Sequence, residues 1–206
     1  TGAQGTRWYT VSITGQDSHA GSTPMAGRRD AVVAAAALIE SVDHIARERS
    51  PQAVGTVGAL TVSPNSQNTI AGHVELRVDM RHPDAQMMTE MDAVLRDSAA
   101  TIAEARNVVI NVDDIWYKPP VVFDTDCIAS VREAAATLGY SHQDIVSGAG
   151  HDACQVCSVA PTAMIFVPCA GGLSHNEAES AKPEHLEAGC NVLLNAMVER
   201  SGVVES

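Results

Sequence analysis

The sequence predicts a mixed α/β (α+β) fold in two parts, and three observations lead to this prediction. Of the 206 residues, 45% are hydrophobic but only 3% are aromatic, so the core must be built from Ala, Val, Ile and Leu. Segments with the two-residue period of strands and the longer period of helices follow one another along the chain. Lys118-Pro119-Pro120 then interrupts that pattern, which predicts a domain boundary.

The first part contains four predicted strands and two predicted helices. Alternating β-branched and aromatic residues mark the strands, and Ala, Val, Leu and Ile at helical spacing mark the helices. The elements are a strand over residues 6–14, a helix over 29–49, strands over 54–62 and 73–81, a helix over 83–106 and a strand over 108–112. This order is that of the split βαβ, or ferredoxin-like βαββαβ, sandwich. We expect both helices to cover one face of a four-stranded antiparallel sheet.

The second part is predicted to contain three helices and one buried strand. The helices cover residues 126–138, 154–158 and 183–200, and the strand covers 162–167. One strand cannot close a sheet, so we expect this part to complete a sheet supplied elsewhere. The first residue is Thr rather than Met, which leads to the expectation that the chain begins inside something larger.

Composition and charge argue against several kinds of partner. The chain carries 13 basic and 25 acidic residues, a formal charge of −12, so we expect no nucleic acid partner. It contains no apolar run of about 18 residues, so we expect no membrane partner. The five cysteines are irregularly spaced and suggest no disulfide framework, which favours a reducing compartment and a cytoplasmic location. Cys154 and Cys157 are expected to be buried thiols.

Two glycine-rich segments each place a histidine next to an apolar run. They are residues 147–153, which contain His151, and residues 171–179, which contain His175. Histidine is the commonest metal ligand and a general acid or base, and glycine lets a ligand approach the backbone closely. We expect Glu179, four residues after His175, to lie within reach of its ring if the segment turns. A lone histidine in such a place is more often structural, but two of them favour a functional site.

Five groups of residues, in order along the chain, together resemble a known family. They are 18–25 with 28–30, 68–72, 79–84, 148–153 and 173–179. They are similar to motifs of the hydantoinase/carbamoylase amidohydrolases, which include allantoate amidohydrolase, N-carbamoyl-L-amino acid hydrolase, ureidoglycolate amidohydrolase and β-ureidopropionase, among the dinuclear zinc aminoacylase-like metallopeptidases. The resemblance implies that residues 1–118 are a lid, or dimerisation, domain. It implies that residues 119–206 are the C-terminal part of an α/β zinc-peptidase-like catalytic domain whose N-terminal part is absent from this chain.

The implied activity is metal-dependent hydrolysis of a non-peptide C–N bond in an N-carbamoyl or ureido acid. The substrates that this leaves open are allantoate, ureidoglycolate, an N-carbamoyl amino acid and β-ureidopropionate. The resemblance implies two divalent metal ions per complete active site, with zinc the first choice and manganese, cobalt or nickel also compatible with the ligands. His175 matches the last metal ligand and is the only match to a ligand. We therefore expect these 206 residues alone to be inactive and essentially metal-free.

The resemblance also assigns roles beside the metals. His19 matches a histidine that assists the transition state, often in the site of the partner subunit, and His151 matches a histidine that contacts the substrate. We expect both to act on the developing oxyanion. Arg81 is expected to bind the substrate carboxylate through its planar fork, and Asn68 to bind the ureido group through an amide that both donates and accepts. Gly150, like His151, matches a substrate-contacting position.

Residues 28–30 are expected to be structural, with Asp30 at the entry of a helix. The lid is expected to pair two chains into a homodimer through a lid helix and an edge strand. Two other interpretations stay open, namely an aminoacylase or dipeptidase that cleaves a peptide-like amide and a non-catalytic dimerisation module. Comparing N-carbamoyl with N-acetyl substrates distinguishes the amidohydrolase from the aminoacylase or dipeptidase. The metal content of the purified protein distinguishes the dimerisation module from either enzyme.

Overall fold

The computed structural model of the protein describes residues 1–201, and within that range it contains nine strands and five α-helices. The strands are β1 (Gly2–Ala3), β2 (Gly5–Thr14), β3 (Ser18–His19), β4 (Val54–Ser63), β5 (Thr69–Ile70), β6 (His73–His82), β7 (Val109–Lys118), β8 (Val121–Val122) and β9 (Val146–Ser147). The helices are α1 (Ala31–Arg47), α2 (Ala85–Arg106), α3 (Thr125–Thr137), α4 (Ala153–Val156) and α5 (Pro183–Ser201). Over the described residues, no helix is long and apolar enough to cross a membrane.

The chain forms two compact units. One is Gln4–Pro120, which we call the sheet unit, and the other joins Thr1–Ala3 to the chain from Val121 onward, which we call the C-terminal unit. The change of unit at Pro120 falls in the segment where the sequence pattern is interrupted. The assignment of residues 1–118 to a lid and of 119–206 to part of a catalytic domain stays a prediction.

The four long strands of the sheet unit form one antiparallel sheet in the order β4–β6–β2–β7. In the chain, α1 lies between β2 and β4, and α2 lies between β6 and β7. Each helix therefore connects two strands that are not neighbours in the sheet. The mixed α/β fold class is confirmed.

Strand β7 is longer than predicted, because it continues to Lys118 instead of ending at residue 112. Its whole length pairs with β2, from Val109 opposite Thr14 to Lys118 opposite Thr6. A shift of register in this pairing leaves Ile115 without an opposite residue on β2, as in a β-bulge. The polar residues after residue 112 hid the strand, since they break the apolar alternation without breaking the backbone pairing.

Both helices cover one face of the sheet, as predicted. Side chains alternate along β2 and β6, and every second one points into a single apolar cluster with the helices. The buried members include Tyr9, Val11, Ile13, Val74, Leu76, Val78 and Met80 from the strands and Leu38, Val42, Ile45, Met91 and Leu95 from the helices. The other face carries the alternate residues of the same strands, including Trp8, Arg77, Asp79 and Arg81. We call it the open face.

Aspartates fix where these helices begin. The Oδ1 atom of Asp30 accepts hydrogen bonds from the backbone N–H groups of Val32 and Val33, and Asp84 caps α2 through Met87 in the same way. The carboxylates satisfy N–H groups that have no acceptor inside the helix. Both helices therefore begin two residues later than predicted, and the expected position of Asp30 at a helix entry is confirmed.

The C-terminal unit contains a small sheet in the order β8–β1–β9, in which β1 pairs antiparallel with β8 and parallel with β9. Helices α3 and α5 pack against each other through Ala134, Ala135, Val192 and Ala196. Of the two expected thiols beside α4, Cys154 is buried and Cys157 is half-buried. These contacts are those of short side chains, in agreement with the low aromatic content.

The prediction of a buried strand over residues 162–167 is wrong. The segment forms no strand ladder with any described residue, although the N–H of Asp124 donates to the C=O of Thr162 at 3.0 Å. Its residues are half-buried or exposed. An extended segment becomes a strand only where a neighbour takes up its N–H and C=O groups, and an apolar run in the sequence does not report whether that neighbour is present.

Replacing Leu38 by Ala is expected to lower the free energy of unfolding of the sheet unit by about 2–5 kcal/mol, because Leu38 is 0% exposed in the apolar cluster. Val33→Ala is the matched control on the same helix. Val33 is 41% exposed, so its loss should change stability by no more than about 0.5 kcal/mol. Urea titration followed by tryptophan fluorescence measures both, since both tryptophans, Trp8 and Trp116, lie in the sheet unit. Equal effects of the two substitutions would contradict this packing.

Candidate functional site

The structure brings two of the predicted site residues together on a short antiparallel ribbon. Strand β3 pairs with β5, with His19 opposite Thr69, and the N–H of Ala20 donates to the C=O of Asn68 at 2.9 Å. The ribbon continues the β2–β6 pair, because the N–H of Gly15 donates to the C=O of Gly72 at 2.8 Å. His19 and Asn68 are both exposed at its end.

Backbone N–H groups of its own loop determine which nitrogen of the neutral His19 ring carries the proton. Nδ1 accepts hydrogen bonds from the N–H groups of Gly21 at 3.0 Å and Ser22 at 3.2 Å. A ring nitrogen that accepts carries no proton, so the neutral imidazole must hold its proton on Nε2. The Nε2–H group of His19 is therefore a hydrogen-bond donor for a ligand, which is what stabilisation of an oxyanion requires.

Arg28 holds the loop that follows His19. Its guanidinium donates to the carbonyl of Ala20 at 2.7 Å and to the carbonyl of Thr23 at 3.1 and 3.2 Å. Sequence analysis gave Arg28 no chemical role, and the structure gives it a positioning role at the candidate site. No spacing rule could have shown this, because the acceptors are backbone carbonyls.

Asp17 and Gly72 fix the base of the ribbon. Asp17 Oδ1 accepts from the N–H of Gly72 at 2.6 Å. A Cβ at position 72 would lie 2.5 Å from that oxygen and 2.7 Å from the Asp17 nitrogen. Glycine is therefore required here by the close approach of the two segments.

The Asn68 side-chain amide already makes hydrogen bonds through its oxygen, Oδ1. Its Oδ1 accepts hydrogen bonds from the hydroxyls of Ser66 at 2.9 Å and Thr69 at 3.4 Å. These bonds fix which way the amide faces. The Nδ2 group is consequently the end of Asn68 that can donate to a ligand.

The structure does not place Arg81 with His19 and Asn68. Arg81 lies on the open face near the far end of β6, opposite Thr6 on β2. The ribbon adjoins the other end of β6 at His73, eight residues away, which corresponds to about 25 Å along a strand. The predicted contacts to a substrate therefore fall into two groups.

The Arg81 side chain is already paired with a carboxylate. Its Nε donates to both carboxylate oxygens of Asp79 at 2.9 and 3.2 Å, and Nη2 donates to Oδ2 at 2.6 Å. The hydrogen bonds that Arg81 donates to Asp79 raise the pKa of its guanidinium. This geometry is the bidentate fork expected for a carboxylate ligand, with Asp79 as the acceptor.

In the C-terminal unit, His151 is half-buried and its ring contacts two neighbours. Nε2 lies 2.8 Å from the hydroxyl of Ser147, and the ring edge meets Phe166 with centroids 5.5 Å apart. Gly150 is exposed, and a Cβ there would meet no atom within 4 Å. The backbone at Gly150 is thus open to close approach by a ligand.

His175 is exposed and lies in a tight turn with a φ of 56°. Its backbone N–H donates to Glu179 Oε2 at 3.0 Å. The expectation that Glu179 supports the His175 ring is therefore incorrect. The left-handed backbone of His175 directs the N–H group, rather than the imidazole, toward the carboxylate.

The described residues do not fit a metal site by themselves. Among residues 1–201, no group of three or more His, Cys, Asp or Glu side chains is arranged to hold a metal ion. His175 therefore belongs to no such group within that range. A cavity of about 830 Å³ lies between α3, α5 and residues 163–168, but neither His151 nor His175 lines it.

The sequence of this chain is similar to that of known hydrolases. Residues 11–199 match Peptidase family M20/M25/M40. An N-carbamoyl-L-amino-acid amidohydrolase of Rhizobium meliloti is 45% identical over 205 residues, which cover 100% of this chain and 49% of that protein. An allantoate amidohydrolase of Escherichia coli (strain K12) is 32% identical over 189 residues, which cover 92% of this chain and 46% of that protein.

A solved structure shows the same fold. The crystal structure of an amidase of the hydantoinase/carbamoylase family from Burkholderia multivorans has a TM-score of 0.93 and 52% sequence identity to this chain. The match covers 97% of this chain and 49% of that one. The chain thus spans about half the length of the relatives that it matches.

Replacing Arg28 by Ala is expected to speed amide hydrogen exchange in residues 19–24, because the loop loses the bonds to the carbonyls of Ala20 and Thr23. Hydrogen–deuterium exchange with mass spectrometry measures this. Arg29→Ala is the matched control, since Arg29 donates to the carbonyl of Asn107 instead. Unchanged exchange in the Arg28 variant would show that the loop is held by other contacts.

Proposed function

Because this chain belongs to Peptidase family M20/M25/M40, we propose that it is the lid domain and the C-terminal part of the catalytic domain of a metal-dependent amidohydrolase. The resemblance to the hydantoinase/carbamoylase amidohydrolases is confirmed by the relatives that it matches. The proposed reaction is hydrolysis of a non-peptide C–N bond in an N-carbamoyl or ureido acid. Of these substrates we favour N-carbamoyl-L-amino acids, since a relative with that name is 45% identical to this chain.

The observation that carries the proposal is the His19–Asn68 ribbon. Hydrolysis adds water to the carbonyl carbon of the carbamoyl group, so negative charge develops on the carbonyl oxygen before ammonia leaves. A donor aimed at that oxygen typically contributes about 3 kcal/mol to the stability of the transition state. His19 offers Nε2–H in a loop fixed by Arg28, and Asn68 offers the amide Nδ2 beside it.

Arg81 is the proposed contact for the substrate carboxylate. Asp79 holds the guanidinium in a fixed plane before any ligand arrives. A planar group with its orientation already set loses less conformational entropy when it binds a carboxylate. The open face is therefore proposed to meet the carboxylate end of the substrate, and the ribbon the carbamoyl end.

The separation of these two groups supports a homodimer. An N-carbamoyl amino acid is about the length of two residues, below about 8 Å, and cannot bridge the length of β6. One substrate can meet Arg81 and His19 together only if they come from different copies. We propose that two chains pair through the sheet unit and that each copy supplies its ribbon to the site of the other.

The proposed cofactors are two divalent metal ions per complete site. Zinc is the first choice, and manganese, cobalt or nickel are alternatives for His and carboxylate ligands. His175 is proposed as one ligand. The described residues form no group of three possible ligands, and the remaining ligands are proposed to lie outside residues 1–201. A reducing, cytoplasmic location agrees with the five free cysteines.

The test is a substrate panel with the whole, metal-loaded protein. N-carbamoyl-L-methionine should be hydrolysed with a kcat/KM about tenfold or more above those of allantoate and N-acetyl-L-methionine, and ammonia should appear in equal amounts to methionine. Equal or faster cleavage of the N-acetyl compound would show an aminoacylase instead. Turnover of none of the three would reject the proposal. Mass in solution and metal content of the same preparation test the homodimer and the two metal ions.

Replacing Arg81 by Lys should raise KM for N-carbamoyl-L-methionine by about tenfold or more, because an ammonium cannot reproduce the bidentate fork. Arg77→Lys is the matched control. Arg77 lies on the same face of β6 and pairs with Glu75 two residues before it, as Arg81 pairs with Asp79. If Arg81→Lys discriminates between the acid and its carboxamide as strongly as the parent enzyme does, the carboxylate is bound elsewhere.

A further inference from the structure

Ser147 is a buried polar residue next to the predicted site residue His151. It is 5% exposed, lies at the end of β9 and pairs with Ala3 in β1. Its hydroxyl has three neighbours at hydrogen-bonding distance, namely the N–H of Ala149 at 3.1 Å, the C=O of Ala149 at 3.0 Å and His151 Nε2 at 2.8 Å. The strand holds the hydroxyl in place, so the three contacts form one local network.

Counting protons identifies the one arrangement that satisfies all three contacts. A serine hydroxyl has one proton to donate and two lone pairs to accept with. The N–H of Ala149 can only donate and the C=O of Ala149 can only accept. All three bonds therefore form together only when the hydroxyl proton goes to that carbonyl and His151 Nε2 donates to the remaining lone pair. In this arrangement the neutral ring carries its proton on Nε2 and a lone pair on Nδ1.

The two predicted catalytic histidines therefore differ in the ring nitrogen that is left for a ligand: one offers a hydrogen-bond donor and the other an acceptor. His19 uses Nδ1 internally and presents the donor Nε2–H. His151 uses Nε2 internally, and Nδ1 has no hydrogen-bond partner among residues 1–201. In this arrangement the neutral His151 ring presents an acceptor at Nδ1, whereas the sequence led to the expectation of a donor.

We propose that Ser147 is a positioning residue that fixes His151 in the Nε2–H form, so that Nδ1 accepts an N–H of the substrate's terminal carbamoyl NH₂ group. This proposal rests on the proposed function for the identity of the ligand. A carbamoyl group carries N–H donors at the position where an acetyl group carries a methyl. An acceptor that pairs with this N–H discriminates against the methyl, because in the acetyl complex the acceptor would be left unpaired. Ser147 and His151 then determine the preference for carbamoyl over acetyl substrates.

The first experiment reads the ring directly and needs no activity. In the whole, metal-loaded protein labelled with [¹⁵N]histidine, the His151 signals, assigned by their loss in His151→Asn, should report a proton on Nε2 at a pH where the ring is neutral. Ser147→Ala should shift the ring toward a mixture of the two forms, and Ser147→Thr, which keeps the hydroxyl, should restore it. The His19 signals are the internal control. A neutral parent ring with its proton on Nδ1 would overturn the proposal without any variant being needed.

The second experiment reads specificity in the whole, metal-loaded enzyme. Ser147→Ala should lower the ratio of kcat/KM for N-carbamoyl-L-methionine to that for N-acetyl-L-methionine by about tenfold, and Ser147→Thr should retain it. Ser158→Ala is the matched control, because Ser158 is exposed and its hydroxyl donates only to the carbonyl of Gln155. An unchanged ratio in Ser147→Ala would overturn the proposal. If the parent enzyme cleaves neither compound, the proposed function fails, while the ring measurement still decides the role of Ser147.

Discussion

Strands β2 and β6 pair over ten consecutive residue pairs with no shift of register. Because side chains alternate along both strands, this one register sends Tyr9 to the helices and Arg81 to the open face. A slip by one residue would bury Arg81 in the apolar cluster and expose Val78 to solvent. The same pairing continues into the β3–β5 ribbon, so the positions of His19 and Asn68 depend on it as well.

Much of the sheet unit could be predicted because its strands and helices each bury one side and therefore show a period in the sequence. The segment 162–167 could not, since its apolar run carries no information about a neighbouring strand. Family motifs identified His19 and Asn68 separately, but their adjacency depends on a ribbon of two-residue strands, which is too short to have a period. The role of Arg28 was also hidden, because a side chain that binds backbone carbonyls needs no particular residue types as partners.

The ring orientation of each histidine in the motifs, His19 and His151, is held by hydrogen bonds to groups only a few residues away. Two backbone N–H groups set His19, and a serine hydroxyl, itself tied to the next turn of backbone, is bonded to His151. Such local bonds need no long-range packing to hold a ring in one orientation. The short sequence motifs around the two histidines therefore carry both the functional group and the means of orienting it, which explains why they could be recognised from sequence alone.

The extended segment 162–167 has a consequence for how the chain behaves at high concentration. It is apolar, contains no charged residue, and leaves ladder positions unpaired within the described chain, which is the description of a segment that stacks with copies of itself into cross-β aggregates. Pro161 and Pro168 stand directly on either side of it. Proline has no N–H to add to a ladder, so any such stacking is confined to six residues and cannot spread along the chain. The two prolines act as gatekeepers for this uncharged stretch of the C-terminal unit.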